Sequence, residues 1–280
     1  MKQILFSVVI PTKNSGVFLN TCLQSVCYSK RKDIEVIIVD NGSIDNTFTI
    51  AKSYGVFFIR VEGAAPQVAT QRNEGARHSR GKYIIFLDHD MELRKDFFRN
   101  AKQILSKNPI IDAWYIPEHI MASNRLMSAM RTFENDIYSD TPVCAARVMK
   151  RSVFFQTRGY DPLLSHGPAD WDFDNSLRLT GCRFKTLPLF LYHHEERLAF
   201  LDYIRKKKKY QNGIQRYKEK WKHVNADVYK MIVAQQLNPW YRLFWIFYEK
   251  DKWKKTFANF HLYLYFLVTR SVMLLEYYRP

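Results

Sequence analysis

Tyr83-Ile-Ile-Phe-Leu-Asp88-His89-Asp90 decides the fold: five large apolar residues without alternation, then two carboxylates flanking a histidine. A strand with one wet face alternates apolar and polar residues, whereas an unbroken apolar run is a strand covered on both faces, as in a parallel sheet. Four further stretches read as strands: FSVVIP (6–11), EVIIVD (35–40), VFFIRV (56–61) and DAWYIP (112–117). Helical periodicity fills the gaps at 17–29, 45–54, 67–80 and 94–107. The order predicts an α/β fold with a mainly parallel central sheet, helices on both faces and right-handed crossovers. Ligands of such sheets bind outside the carboxyl ends of the strands. That rule marks Pro11–Asn14, Asp40–Ser43, Val61–Ala65 and Asp88–Asp90. Further on, 124–140 reads as a helix, 143–156 as extended, 170–180 as a helix ended by Gly181, 183–193 as extended, and 197 onward as helical.

The 280 residues are 47% hydrophobic and 25% charged, which is globular composition and excludes a disordered or low-complexity chain. Four cysteines (Cys22, Cys27, Cys144, Cys182) show no CxxC and no metal spacing, as expected of a reducing compartment. The apolar run Ile4–Ile10 ends at Pro11 and is too short for a signal peptide. The uncharged stretch 256–269 is 14 residues, short of the ~20 that a spanning helix needs. The expected location is cytoplasmic.

Several motifs sit where ligands bind. Asp88 and Asp90 can turn toward one hard cation, since Mg²⁺ typically takes one or two carboxylates plus substrate phosphates. Asp40 ends a strand and is placed to accept from a nucleobase N–H, while Asp45 is the expected cap of the next helix. Asp170-Trp-Asp172-Phe-Asp174 opens a helix with more carboxylates than capping requires, and one of them can serve as a general base. His193-His194 can complete a carboxylate metal site. A phosphate-loop reading of Gly75 to Gly81-Lys82 fails, because five residues separate the glycines and Tyr83 replaces the Ser/Thr.

Taken in order, SVVIPTKNSGVFLNTCLQSV, VIIVDNGSIDNT, ATQRNEGARHSRGKYIIFLDHD, RSVFFQTRGYDP, ADWDFDNSLRLTGCRF and LYHHEE resemble the family 2 glycosyltransferases over roughly residues 5–196. The resemblance implies the Rossmann-like GT-A fold, a nucleotide-diphospho-sugar donor, a divalent cation (Mn or Mg) and inverting transfer to an acceptor hydroxyl. By the resemblance, Pro11, Thr12 and Asn14 match the first donor loop, Asp40 the base-binding carboxylate, and Arg72 and Asn73 the segment beside the donor. Asp88 and Asp90 match the DxD metal ligands, with Asp88 also near the sugar. Asp170 matches the general base, and His193 or His194 the C-terminal metal ligand. Ala169 stands where the family usually has Glu, and Asp172 is the nearby candidate to replace it.

The implied organisation is a catalytic domain over 1–200, with a donor half to about 115 and an acceptor half beyond it, followed by a helical region over 201–280. The chain carries a net charge of +16, and its last 80 residues hold 17 Lys+Arg against 6 Asp+Glu. Most of the basic excess is therefore outside the catalytic match. Its mixture with Trp240, Trp245, Trp253, Tyr263, Tyr265 and Phe266 suits helices lying on an anionic membrane surface, at the cytoplasmic face, better than nucleic acid. A lipid-linked saccharide or another membrane-associated glycan is the expected acceptor. Gln215 to Trp221 lacks the Arg-Trp pair of processive members, so a single addition is expected. Two rivals are a catalytically silent GT-A binding subunit and a sugar-phosphate nucleotidyltransferase. The second needs a Gly-rich basic loop after the first strand, where this chain has PTKNSG (11–16).

Overall fold

Every residue of the first apolar run, Phe6–Thr12, is buried, and it forms the central strand β1 of the computed structural model. Residues 3–28, 31–61, 68–164, 167–195, 200, 203–204 and 213–277 are described. β1 pairs in parallel with β2 (Ile34–Asp40) on one side and β4 (Tyr83–Phe86) on the other, and β2 pairs with β3 (Phe57–Arg60). Side chains alternate across the strand. Val8 and Ile10 join α1 (Leu19–Cys27) in one apolar layer through Leu19, Cys22, Leu23 and Val26. Val9 faces the opposite layer with Ile37, Val39 and the residues Ala69 and Ala76 of α3 (Val68–His78). α2 (Thr47–Ser53) connects β2 to β3. Both faces of the sheet are covered, as the unbroken apolar runs require.

Two details seat this sheet. A Cβ on Gly75 would stand 2.2 Å from Val9 Cγ1, so only glycine lets α3 lie this close to β1. Pro11 sits in a central strand without cost because the Val9 carbonyl accepts from Leu87, so alternate residues Val9 and Pro11 face β4, which ends at Phe86. Pro11 therefore lies past the last rung on that side, and its missing N–H breaks no ladder bond.

The second half departs from the expected elements. Residues 91–93, outside every expected strand, form β5 (Met91–Leu93), ahead of α4 (Phe97–Lys107). Expected strand 112–117 becomes β6 (Ala113–Tyr115), and a second strand, β7 (Glu118–Met121), starts just beyond Pro117. α5 (Arg125–Tyr138) follows as expected. Segment 143–156 is extended only as β8 (Ala146–Lys150) and then turns into α6 (Arg151–Phe154). α7 (Gly167–Leu179) starts three residues earlier than expected, and 183–193 is split around Pro188 into β9 (Phe184–Thr186) and β10 (Leu191–His194). Proline cannot donate to a ladder, which accounts for both splits.

Among the described residues the main sheet runs β3-β2-β1-β4-β8-β6-β9, with β8 antiparallel to both neighbours. A small second sheet, β5-β10-β7, stands beside it. The C-terminal helices pack on this body. α8 (Ile214–Val224) buries Tyr217 and Trp221 against Leu164 and Ala169. α9 (Lys252–Ala258) leads into α10 (Phe260–Tyr277), which buries Leu262 and Phe266 against Met127, Met130 and Phe133 of α5. Among the described residues, no helix is long and apolar enough to cross a membrane. The basic run 205–209 and most of the expected ligand loop 61–65 lie outside the described residues.

Candidate active site

The chain leaves β1 toward β2 and β3, then returns to β4 on the other side of β1. Such a reversal opens a crevice at the carboxyl ends of the two diverging strands. β1 delivers Thr12 to Asn14 there, and β4 delivers Asp88 to Asp90.

On the β2 side, the parallel register sets Thr12 beside Asp40. Asp40 is 1% exposed and accepts from Thr12 Oγ1 (2.9 Å), the Ser43 amide (2.8 Å) and the Ser43 hydroxyl. Asn14 donates its amide to Ser43 Oγ at 2.8 Å, and its Oδ1 accepts from the Ile44 amide at 2.9 Å. Lys13 Nζ is spent on the carbonyls of Asn41 and Gly42. Gly42 has φ +64°, the left-handed turn that glycine favours. The N-cap of α2 is Asn46 and not the expected Asp45, which accepts the Thr47 amide from one residue further out. The first two loops are thus laced together around a buried carboxylate.

Opposite them runs a line of alternating charges. Asp170, in the first turn of α7, accepts from Arg72 Nη1 at 2.5 Å, and Arg72 Nη2 donates to Asp88 Oδ1 at 3.0 Å. Arg147 Nη1 donates to Asp88 Oδ2 at 3.2 Å, and its Nε and Nη2 grip Glu118 at 2.8 and 2.7 Å. Glu118 Oε2 meets His193 Nδ1 at 2.8 Å, and His193 Nε2 stands 3.4 Å from Asp90 Oδ2. Burial would raise the Asp88 carboxyl, but the Arg147 and Arg72 guanidiniums outweigh it and hold it well below the usual range. Burial pulls His193 down, yet its hydrogen bonds and charge contacts with Asp90 and Glu118 push it up to about 10. The Arg72 guanidinium also lies 5.1 Å over the Tyr160 ring.

The small sheet brings Asp90 and His193, at one end of this line, together. In the antiparallel pair β5–β10, His193 faces Met91, and the His194 amide donates to the Asp90 carbonyl at 2.8 Å. Neighbouring residues of a strand point to opposite faces. His193 therefore turns to Asp90, while His194 Nε2 lies 3.0 Å from Glu92 Oε2 and its ring stacks on Phe18. Among the described residues no three His, Cys, Asp or Glu side chains converge on one point. Asp90 and His193 are the convergent donor pair. A hard cation that arrives with a diphosphate takes its remaining ligands from phosphate oxygens and water, so this pair fits one.

Three other residues do different work. Asn73 clamps the backbone of Tyr160 with both ends of its amide, at 2.8 Å each. The adjoining Gly159 has φ +75°, and a Cβ there would meet Asn73 Oδ1 at 2.4 Å. Asp172 is buried and committed to Lys220 Nζ (2.8 Å) and Trp221 Nε1 (2.9 Å), so it anchors α8. Asp174 is buried, accepts from the Ala146 amide, and is pushed up to about 7 by burial against the pull of Arg178.

Ala169 is buried in the cluster of Leu164, Tyr217, Trp221 and Val233. A carboxylate there would be enclosed by apolar groups. Ala169→Glu is expected to cost about 3 kcal/mol or more of stability by burying an unpaired charge, measured by urea unfolding. Glu118 and Arg147 lie outside every segment that carries the resemblance, and Tyr160 lies inside RSVFFQTRGYDP without being singled out.

The family model for Glycosyl transferase family 2 matches residues 7–166. The uncharacterized glycosyltransferase YibD of Escherichia coli (strain K12) is 37% identical over 92 residues, which cover 31% of this chain and 26% of that protein. The chain thus spans about a quarter of that relative's length. A PGL/p-HBAD biosynthesis glycosyltransferase of Mycobacterium bovis is 26% identical over 179 residues, 62% of this chain and 70% of that one. The mannosyltransferase PcManGT from Pyrobaculum calidifontis, in complex with GDP-Man and Mn²⁺, superposes with a TM-score of 0.62 at 17% identity, covering 96% of this chain and 80% of that one. TarS 1-349 of S. aureus in complex with UDP gives 0.58 at 18% identity, over 85% and 72%. These two share the fold, a GT-A glycosyltransferase fold. With the family match extending over more than half of its length, this chain belongs to glycosyl transferase family 2.

Proposed function

We propose that the chain is an inverting, divalent-cation-dependent glycosyltransferase that moves a sugar from a nucleotide-diphospho-sugar to an acceptor hydroxyl. The observation that carries this reading is the charged line from Asp170 through Arg72 and Asp88 toward Asp90 and His193 at one crevice. Thr12, Asn14 and Asp40 shape the nucleotide end, with Pro11 behind them in β1. Asp90 and His193 hold the cation, with Asp88 beside the sugar. A divalent cation, when bound, neutralises charge on the diphosphate leaving group. Asp170 takes the proton of the acceptor hydroxyl as its oxygen bonds to the anomeric carbon, while the bond from that carbon to the phosphate oxygen breaks on the opposite face. The anomeric centre inverts in this single displacement. Arg72, shared by Asp88 and Asp170, couples the donor side to the base.

PcManGT is complexed with GDP-Man and Mn²⁺, and a glucosyl-3-phosphoglycerate synthase of Mycobacterium tuberculosis, also of this fold, with Mn²⁺ and UDP. Both support a cation and a nucleotide-sugar here. The nucleotidyltransferase reading loses ground because Lys13 is turned onto Asn41 and Gly42. The reading is tested by thermal shift with UDP-, GDP- and dTDP-sugars, with and without Mn²⁺. A donor at 100 times its Kd adds about 2.7 kcal/mol of apparent stability. At least one donor is expected to raise the Tm in the presence of Mn²⁺ and far less without it; no shift with any of them counts against the reading.

One surface favours a membrane-associated acceptor, a lipid-linked glycan. Phe260, Leu264 and Val268 are exposed on α10 opposite its packed face, and Trp253 and Phe257 on α9 and Trp240 and Trp245 before them are exposed too. Exposed aromatic and aliphatic side chains suit the headgroup region. Flotation with anionic liposomes is expected to carry the full chain upward, and Phe257→Asp/Val268→Asp to leave it below; equal flotation of the two would remove this surface from the account.

A further inference from the structure

The side chains that reach the crevice are backed by a pair that no sequence motif marks. Glu118 and Arg147 are each 12% exposed, and His193 is 13% exposed. A carboxylate so withdrawn from water needs counter-charges, and Glu118 has two. One oxygen takes the fork of Arg147, and the other takes His193 Nδ1 at 2.8 Å. The placement follows from strand pairing. In the parallel pair β7–β10, Glu118 is level with Leu191 and Ile120 with His193, so Glu118 and His193 share a face one diagonal apart.

A histidine that donates Nδ1–H to a carboxylate has its ring orientation fixed, and a cation that binds at Nε2 displaces the proton the cation-free ring holds there. Here Nε2 points at Asp90. Arg147 in turn reaches Asp88, so a single guanidinium ties the carboxylate behind the histidine to the first carboxylate of Asp88-His89-Asp90.

We propose that Glu118 is a positioning residue for cation binding, fixing His193 so that its Nε2 and Asp90 present one donor pair, and that Arg147 holds Glu118 and Asp88 in register. The proposal rests on the cation-dependent reading above. It adds that affinity for the cation is set from a strand, β7, which contributes no ligand of its own.

The test uses the full chain and Mn²⁺ with UDP or GDP, whichever nucleotide raises the Tm. Free Mn²⁺ is counted by electron paramagnetic resonance in wild type, Glu118→Ala, Glu118→Gln, His193→Ala and the double variants. Glu118→Ala is expected to weaken Mn²⁺ binding ~10–100-fold. Glu118→Gln keeps an oxygen that accepts Nδ1–H, so its loss is smaller, within ~10-fold. Turnover at saturating Mn²⁺ is expected to change far less than the Mn²⁺ concentration that supports it. In the His193→Ala background neither Glu118 substitution should weaken binding further, because the ring it orients is gone. A purely structural role predicts the same loss in both backgrounds, and that result overturns the proposal. So does wild-type Mn²⁺ affinity in Glu118→Ala. Should Glu118→Ala not fold, Glu118→Gln against His193→Ala gives the same comparison. Wild-type protein that binds nucleotide but no Mn²⁺ overturns the cation-dependent reading itself, a result distinct from either of the others.

Discussion

Asp170→Asn is expected to lower transfer ~10²–10⁴-fold while nucleotide binding stays within a few-fold of wild type. Asparagine keeps an oxygen for the Arg72 Nη1 bond that Asp170 makes at 2.5 Å, so the charged line and α7 stay in place. What it loses is the ability to take a proton from the acceptor. Steady-state turnover and nucleotide affinity, measured on the same preparation, separate the two effects. Loss of nucleotide binding with Asp170→Asn would mean that Asp170 is part of the donor site rather than the base.

Arg72→Met is the second large effect, and it strikes stability and donor binding together. The Arg72 side chain is 7% exposed and serves two carboxylates, Asp88 and Asp170, which are 27% and 32% exposed. Removing a partner from a buried ion pair costs ~3–5 kcal/mol because a charge is left uncompensated. Here the lower end, ~3 kcal/mol, is expected, since both carboxylates keep some water and Asp88 keeps Arg147. Urea unfolding at pH 7 measures it. Pairing Arg72→Met with Asp170→Asn is expected to return part of that loss, as contacting residues are not additive. Full additivity would show that the two side chains do not act on each other.

The half of the molecule that carries the parallel strands was legible, and the physical reason is simple. β1, β4 and the second half of β2 are buried, so their sequences are rich in apolar residues, and the residues at or just past their ends are the candidate ligands. The small sheet was not legible. β5 and β7 are three and four residues long, too short for a period to show, and their pairing joins Met91, Glu118 and His193 across a hundred residues. Prolines 117 and 188 did mark where the long extended stretches divide. The choice between His193 and His194 needed the register of β10, since adjacent residues of a strand are equivalent until one face is assigned. Glu118 and Arg147 answer to partners far away in sequence, and nothing local distinguishes them from solvated charges.

The basic tail shows why a charge count does not name a partner. Lys252 is partly buried, which pushes it down to about 8, and it donates to the carbonyls of Ile137 and Ser139 where α5 ends. Lys250 pairs with Asp140 and Lys255 with Asp136. Cations at a helix C-terminus are favourable for that helix, so these lysines fasten the tail to α5. The membrane proposal rests on the exposed Trp240, Trp245, Trp253 and Phe257 and not on the number of lysines.

The central claim is tested most directly by release of the nucleoside diphosphate. Purified chain is incubated with UDP-, GDP- and dTDP-sugars, Mn²⁺ or Mg²⁺ and a lipid-extract acceptor, and the released diphosphate is quantified against Asp170→Asn and Asp90→Asn controls. The account predicts release from at least one donor, dependent on the added cation and lost in both variants. No release from any donor, or release that is unchanged by chelation and by both substitutions, would contradict it.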